Sequence, residues 1–339
     1  MSIRVTHATV LGGFILTAAV SLMAQTKTPR PPLVVLCKGP SELEIVDTGK
    51  LVIDGRIKTG PFPHEVAMSS DGNLAVVTNY GKGMKGTTLS IIDLDKQTEH
   101  RFDLTNLVGP NGEKFGDLIG PHGVEFFHGK FYFTAEGSKK IARYDPKTNK
   151  VDWVHEIGQE RTHMLVISKE GHAIYTSNVN SGTVTAVEEN RDGGDWKNTL
   201  IPVGKGPEGI DISPDGKEVW AANSNDGTVS IIDTGAKKVI ETIPVQTKHS
   251  NRLKFTTDGK RVLISDLATG ELIVLDAKSR KVDKRIKLGS SAEGILIVPD
   301  GKTVYVAVSG DDKVAQLDVQ RLEVTGTIQT GKDPDGMAQ

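Results

Sequence analysis

An all-β chain folded as a seven-bladed β-propeller is the architecture this sequence predicts, and three observations carry the expectation. The stretch Gly206 to Asp233 alternates apolar and polar residues at period two through three short segments, broken by Asp215-Gly216 and by Asn225-Asp226-Gly227. The unit recurs along nearly all of the 339 residues. The 37 glycines, many in Asp-Gly pairs, supply the turns that many short strands require.

The repeat is counted from the residue seven positions before the acid of each hairpin turn. Those residues are His64, His163, Glu208, Asn251 and Glu293. His122 fits the same slot through a hairpin one residue shorter, and Asp335 opens a seventh copy. Successive slots lie 58, 41, 45, 43, 42 and 42 residues apart. A period in the low forties with four strands per unit is that of propeller blades, which bury both faces only by stacking in a circle. Blade 1 should occupy 65–69, 74–79, 89–94 and 98–104. The long first step is assigned to an inserted loop, 105–120, too short for an eighth blade. The seventh copy stops at Gln339 with only its innermost strand, and its partners are expected at 33–37, 42–47 and 51–57. The ring should close by pairing the C-terminal inner strand with these N-terminal strands. That makes 33–339 one domain with no open sheet edge.

The start of the chain reads differently. Arg4 precedes an uncharged apolar run, Ala8–Val20, and small residues end at Ala24, the pattern of a signal peptide over 1–24. The run is short for a membrane span, and 25–32 is a polar, proline-rich lead-in. No second apolar run follows. The mature chain is therefore expected in the periplasm or outside the cell, with no membrane span. A formal charge of −2 implies no general attraction to nucleic acid. Cys37 is the only cysteine, so there is no intrachain disulfide, no C-x-x-C-H haem attachment and no paired-cysteine zinc signature. Walker, G-x-S-x-G and H-E-x-x-H motifs are also missing.

Val76-Val77-Thr78-Asn79, Tyr175-Thr176-Ser177-Asn178 and Trp220-Ala221-Ala222-Asn223 resemble the YVTN β-propeller repeat, and the likeness covers essentially the whole mature chain. The resemblance implies the fold. Its relatives include lactonase-like propellers, haem d1 propellers of nitrite reductases, and surface-layer or binding proteins, so it leaves the activity open. The lack of an accompanying cytochrome c segment weighs against haem d1.

In a propeller the first strand of each blade lines the channel, so the seven slot residues ring one mouth. His64, His122 and His163 come from consecutive blades and form a candidate site for one divalent transition metal, Zn²⁺, Cu²⁺ or Fe²⁺. Seven blades should make a ring too wide for all seven positions to converge. Lys205, Lys248 and Lys332, with Arg161 and His249 nearby, are expected to collar the mouth and attract an anion. Arg252, Asn251 and Asp335 complete the candidate ligand set, with Arg252 either meeting a carboxylate of the ligand or turning into the blade. Cys37 either faces the funnel as a soft ligand or reactive thiol, or fills a strand end. Asn79, Asn178 and Asn223 should cap turns, as should the acids that end each third strand.

Three functions remain open on these residues. The first is an exported binding propeller that takes a small anionic molecule or a protein partner at the funnel, with or without a metal. The second is a lactonase-like, metal-dependent hydrolase or lyase, with Glu208 or Glu293 as general base. The third is a copper redox protein.

Overall fold

The computed structural model describes residues 31–190 and 194–339. The expected signal peptide and most of the lead-in lie outside the described residues. Seven four-stranded antiparallel sheets follow one another, as the repeat predicts. Their innermost strands are Pro63–Met68, Pro121–Phe127, Thr162–Ile167, Pro207–Ile212, Ser250–Phe255, Ile295–Ile297 and Pro334–Ala338. The last of these pairs with Leu33–Cys37, which continues into Glu42–Asp47 and Val52–Lys58. Val34 faces Ala338 and Cys37 faces Pro334 across the closure.

Apolar burial sits between blades. Seven hydrophobic clusters are present, and each joins two neighbouring sheets around the circle. Val34, Leu36 and Ile45 of the closing blade meet Val66, Val77 and Ile92 of blade 1. Trp220 of blade 4 is fully buried and lies edge-on to Phe255 of blade 5 at 5.4 Å. Trp153 and Trp196 instead meet each other at 5.3 Å, half-buried on the outer strands of blades 2 and 3.

The inserted segment after blade 1 is more than a loop. It holds a small two-stranded sheet, Leu107–Val108 with Lys114–Gly116. The turn acids behave as expected: Asp47, Asp93, Asp145, Asp233, Asp276 and Asp318 each accept backbone N–H groups two or three residues on. Asn79, Asn178 and Asn223 do something different. Each donates its amide to two hydroxyls on the next strand, as Asn223 does to Thr228 and Ser230 at 2.9 and 3.0 Å.

One backbone feature sets the channel width. The residue after the slot is glycine in four blades: Gly123, Gly209, Gly294 and Gly336. A Cβ on Gly294 would stand 2.1 Å from the Asp335 carbonyl oxygen, and one on Gly336 2.4 Å from that of His64. Neighbouring inner strands thus touch along their backbones. The three other blades place Glu65, Met164 and Arg252 at this position.

Candidate functional site

The slot residues meet as one network, so the ring is narrower than its blade number suggests. In five blades the residue two before the slot is left-handed: Phe62 at φ 53°, Gly120 at 66°, Arg161 at 56°, Gly206 at 67° and Asp333 at 61°. This turn brings the chain into the inner strand with the slot residue at the channel mouth. The rings of His64 and His122 lie 4.7 Å apart, and those of His122 and His163 3.9 Å apart. His163 Nε2 is 3.6 Å from Glu208 Oε1, which accepts a bond from Asn251 Nδ2 at 3.0 Å. Arg252 donates to Asn251 at 3.0 Å and stands 3.5 Å from Asp335, which lies 3.4 Å from His64 Nδ1. Glu293 joins through Lys38, whose ammonium also faces Asp335 at 3.3 Å and Asp333 at 3.2 Å.

Three of these groups escaped sequence reasoning: Lys38, Tyr80 and Glu136. They occupy one repeat position, immediately after Cys37, Asn79 and Ala135 at the end of the second strand. Comparing that position across blades would have exposed them as charged or aromatic where other copies carry the smaller or apolar Val179, Ser224, Leu267 and Ser309. Glu136 is bonded to His163 Nδ1 and accepts the Tyr80 hydroxyl at 2.7 Å. Tyr80 also packs against His64 and His122 at 4.7 and 5.1 Å.

The metal reading shifts accordingly. The donor atoms that lie within 4.8 Å of one another belong to His122, Glu136 and His163, with His64 outside that set. Nitrogens of all three histidines are nevertheless buried without a hydrogen-bond partner: His64 Nε2, His122 Nδ1 and His163 Nε2. An orphaned buried polar atom is costly, and those of His122 and His163 stand beside Glu136 in the one close donor set, although His163 Nε2 also has Glu208 Oε1 at 3.6 Å.

Charge is finely divided here. Burial lowers the His122 pKa well below the usual histidine value, and the neighbouring charges of His163 and His64 add to that, so His122 is neutral. Burial also acts against a charge on His163, but Glu136 and then Glu208 outweigh it and hold the imidazolium at a pKa of about 9. Glu208 is buried, yet the nearby imidazoles of His163 at 3.6 Å and His249 at 3.4 Å keep it far below the ordinary carboxylate range. That makes it a poor proton acceptor and a firm counter-ion. Burial and the charge of Asp335 push Glu293 up to about 7 against the pull of Lys38.

The remaining expected residues divide between mouth and interior. Lys205, Lys248 and Lys332 are exposed and make no ion pair among the described residues. Arg161 and His249 turn inward, to 3.6 Å from Glu136 and 3.4 Å from Glu208. Arg252 is not on the lip. It is 4% exposed, and its guanidinium is occupied by Glu65, Asn251 and Asp335. Cys37 faces no funnel: it is fully buried, and burial together with Glu44 and Glu42 raises its pKa far above the ordinary thiol value. It fills a strand end.

Fold and site together define a propeller with a polar, histidine-centred channel mouth. Residues 121–302 match the family described as the cytochrome D1 heme domain, and the chain belongs to that family. No curated protein matches the chain. Among solved structures it is similar to a functionally unknown protein from Desulfotomaculum acetoxidans, at 15% identity and TM-score 0.72, covering 91% of this chain and 98% of that one. It is also similar to a putative 6-phosphogluconolactonase from Bacteroides uniformis, at 14% identity and TM-score 0.70, covering 90% and 98%. A dihydro-heme d1 dehydrogenase in complex with DHE aligns at 14% identity and TM-score 0.63, covering 91% and 74%. At such identities the structural likeness speaks for the fold. Among the described residues no helix is long and apolar enough to cross a membrane.

The family raises the question of a haem, and the mouth answers it sterically. An orphaned imidazole nitrogen suits an axial position, but the three histidine rings stand only 3.9 to 4.7 Å apart and leave no slot between them for a flat macrocycle. The channel-axis cavity, about 290 Å³, is lined without histidine. These residues offer a haem no enclosed slot between the histidine rings.

Proposed function

We propose that this protein is an exported binding propeller whose funnel mouth holds one divalent transition metal on His122, Glu136 and His163, the metal displacing the proton that His163 otherwise carries, and presents it to a small anionic ligand. The observation that carries the reading is that donor atoms of His122, Glu136 and His163 lie within 4.8 Å of one another, with a buried nitrogen of each histidine lacking a hydrogen-bond partner. Two imidazoles and a carboxylate form a borderline donor set suited to Zn²⁺ or Fe²⁺, and to Cu²⁺ when its geometry allows. The exposed lysines Lys205, Lys248 and Lys332 favour approach of an anion. Export rests on the sequence pattern of residues 1–24.

Elemental analysis of protein purified from its native compartment tests the reading, followed by titration of chelator-treated protein with Zn²⁺, Cu²⁺ and Fe²⁺. One equivalent of metal, a raised melting temperature, and loss of both in His122→Ala and Glu136→Gln are expected. Metal-free native protein that no ion stabilises refutes it. Metal-dependent hydrolysis or elimination is a second reading, favoured by the place of Glu293: it is a slot carboxyl on the same mouth, paired with Lys38, whose pKa burial and Asp335 push up toward that of a general base at neutral pH. Turnover of a lactone and ester panel that vanishes in both His122→Ala and Glu293→Gln would establish it, and activity unaffected by either change would remove it.

A further inference from the structure

The channel does not end at the slot ring. Each inner strand leads away from the mouth, so residues three further on stand about 10 Å deeper. A cavity of about 290 Å³ begins at the residues that follow the slots, Glu65, Met164, Arg252, Gly294 and Gly336, and reaches toward that depth. Val66, Val124, Leu165, Phe255, Ile295 and Met337, from six different blades, form its apolar wall. The Glu65–Arg252 pair lies at its boundary toward the histidines, and Glu125 and Lys254 stand in the wall.

The charges of this cavity do not balance one for one. Glu65 is matched by Arg252. Lys254 faces Asp211 at 3.6 Å, and Asp211 also accepts the Phe255 N–H at 2.8 Å. Glu125 accepts one bond, from the Ile167 N–H at 3.1 Å, and forms no ion pair among the described residues. Tyr132 is its neighbour on the adjacent strand. Burial pushes the Glu125 carboxyl up to about 7; Lys254 opposes this and Asp211 adds to it. A cavity with an apolar wall in which two carboxyl groups, Glu125 and Asp211, share the one ammonium of Lys254 calls for a cation that carries an apolar body.

We propose that this far cavity is a second binding site, for a small amine whose ammonium pairs with Glu125 and whose apolar body fills the aliphatic wall. An organic anion would confront Glu125 and Asp211 while the one nearby ammonium, Lys254, is already shared between them. The volume is at the low end of small-molecule sites, which suits a body the size of one ring. This site is independent of the metal reading, because Arg252 and Glu65 separate it from the histidines.

Calorimetric titration of the purified protein at pH 8 with benzylamine, benzyl alcohol and benzoate tests the assignment. Benzylamine should bind one to one and at least tenfold more tightly than the alcohol, with benzoate weakest. Glu125→Gln, nearly isosteric, should bring benzylamine to the level of the alcohol while leaving metal uptake at the mouth unchanged. Lys254→Met should tighten benzylamine, since it removes the repelling charge, and this gain would not arise if Glu125 only maintained the fold. The proposal is overturned if none of the three probes binds, if benzoate binds most tightly, if Glu125→Gln keeps the preference for the amine, or if Lys254→Met weakens it.

Discussion

Replacing Arg252 by methionine tests the electrostatic core of the channel. The side chain is 4% exposed and serves Glu65, Asn251 and Asp335 together. Methionine retains much of the aliphatic stem and removes the charge. Asp335 would still have Lys38 at 3.3 Å, but Glu65 would lose its one ion pair among the described residues. Breaking a buried pair from one side costs about 3–5 kcal/mol, because the surviving charge stays desolvated. In a large domain each kcal/mol moves the midpoint by about 2–3 °C, so Arg252→Met should melt about 6–15 °C lower. Thermal unfolding at pH 7, followed by circular dichroism and calorimetry, reads the shift. Adding Glu65→Gln removes the stranded charge and should restore part of the loss, with a coupling above about 1.5 kcal/mol. The reasoning is refuted if Arg252→Met melts within about 2 °C of the parent, or if Glu65→Gln in the same chain restores nothing.

Three further outcomes follow from other parts of the structure. Gly294→Ala should destabilise the fold by about 1–3 kcal/mol in the same melts, since its Cβ would stand 2.1 Å from the Asp335 carbonyl oxygen; an unchanged midpoint would mean that the inner strands can part freely. Metal-free protein should lose stability as pH rises. Glu125 and Glu293, held near 7 against a usual 4.5, favour the folded state most below 4.5 and lose that advantage through 7. His163, held near 9 against 6.5, contributes fully below 6.5 and loses its contribution as pH rises through 9. His122, lowered well below 6.5, acts in the opposite sense up to that value, so the melting temperature measured with chelator should decline clearly between pH 6.5 and 9, where a flat or rising curve would contradict these environments. Cys37 should resist a thiol reagent in the native state and react after unfolding, because burial removes both access and the thiolate; stoichiometric labelling of native protein would show otherwise.

The blade count, the closure by Leu33–Cys37 against Pro334–Ala338, and the seven slot residues were all legible in the sequence. They depend on signals local to each repeat: a period, an alternation of apolar residues, and turn chemistry that any one copy displays. The composition of the site was less legible. His122 and His163 were visible as slot residues, whereas their partner Glu136 lies one residue beyond a strand end, at a position whose residue type varies from copy to copy. Arg252 was expected to meet a carboxylate of the ligand, with a turn into the blade as the alternative, and only the packed channel shows it buried between Glu65 and Asp335.

The chain by itself determined a circle of seven similar sheets and the list of side chains delivered to its axis. Tertiary structure decided how close those side chains come and which of them share a proton or a charge. The physical reason is that strand formation is set by neighbours in sequence, while the width of the channel is set by backbone contact between blades at Gly294 and Gly336, some forty residues apart along the chain. That contact turns a ring of separate polar groups into one coupled network around three imidazoles.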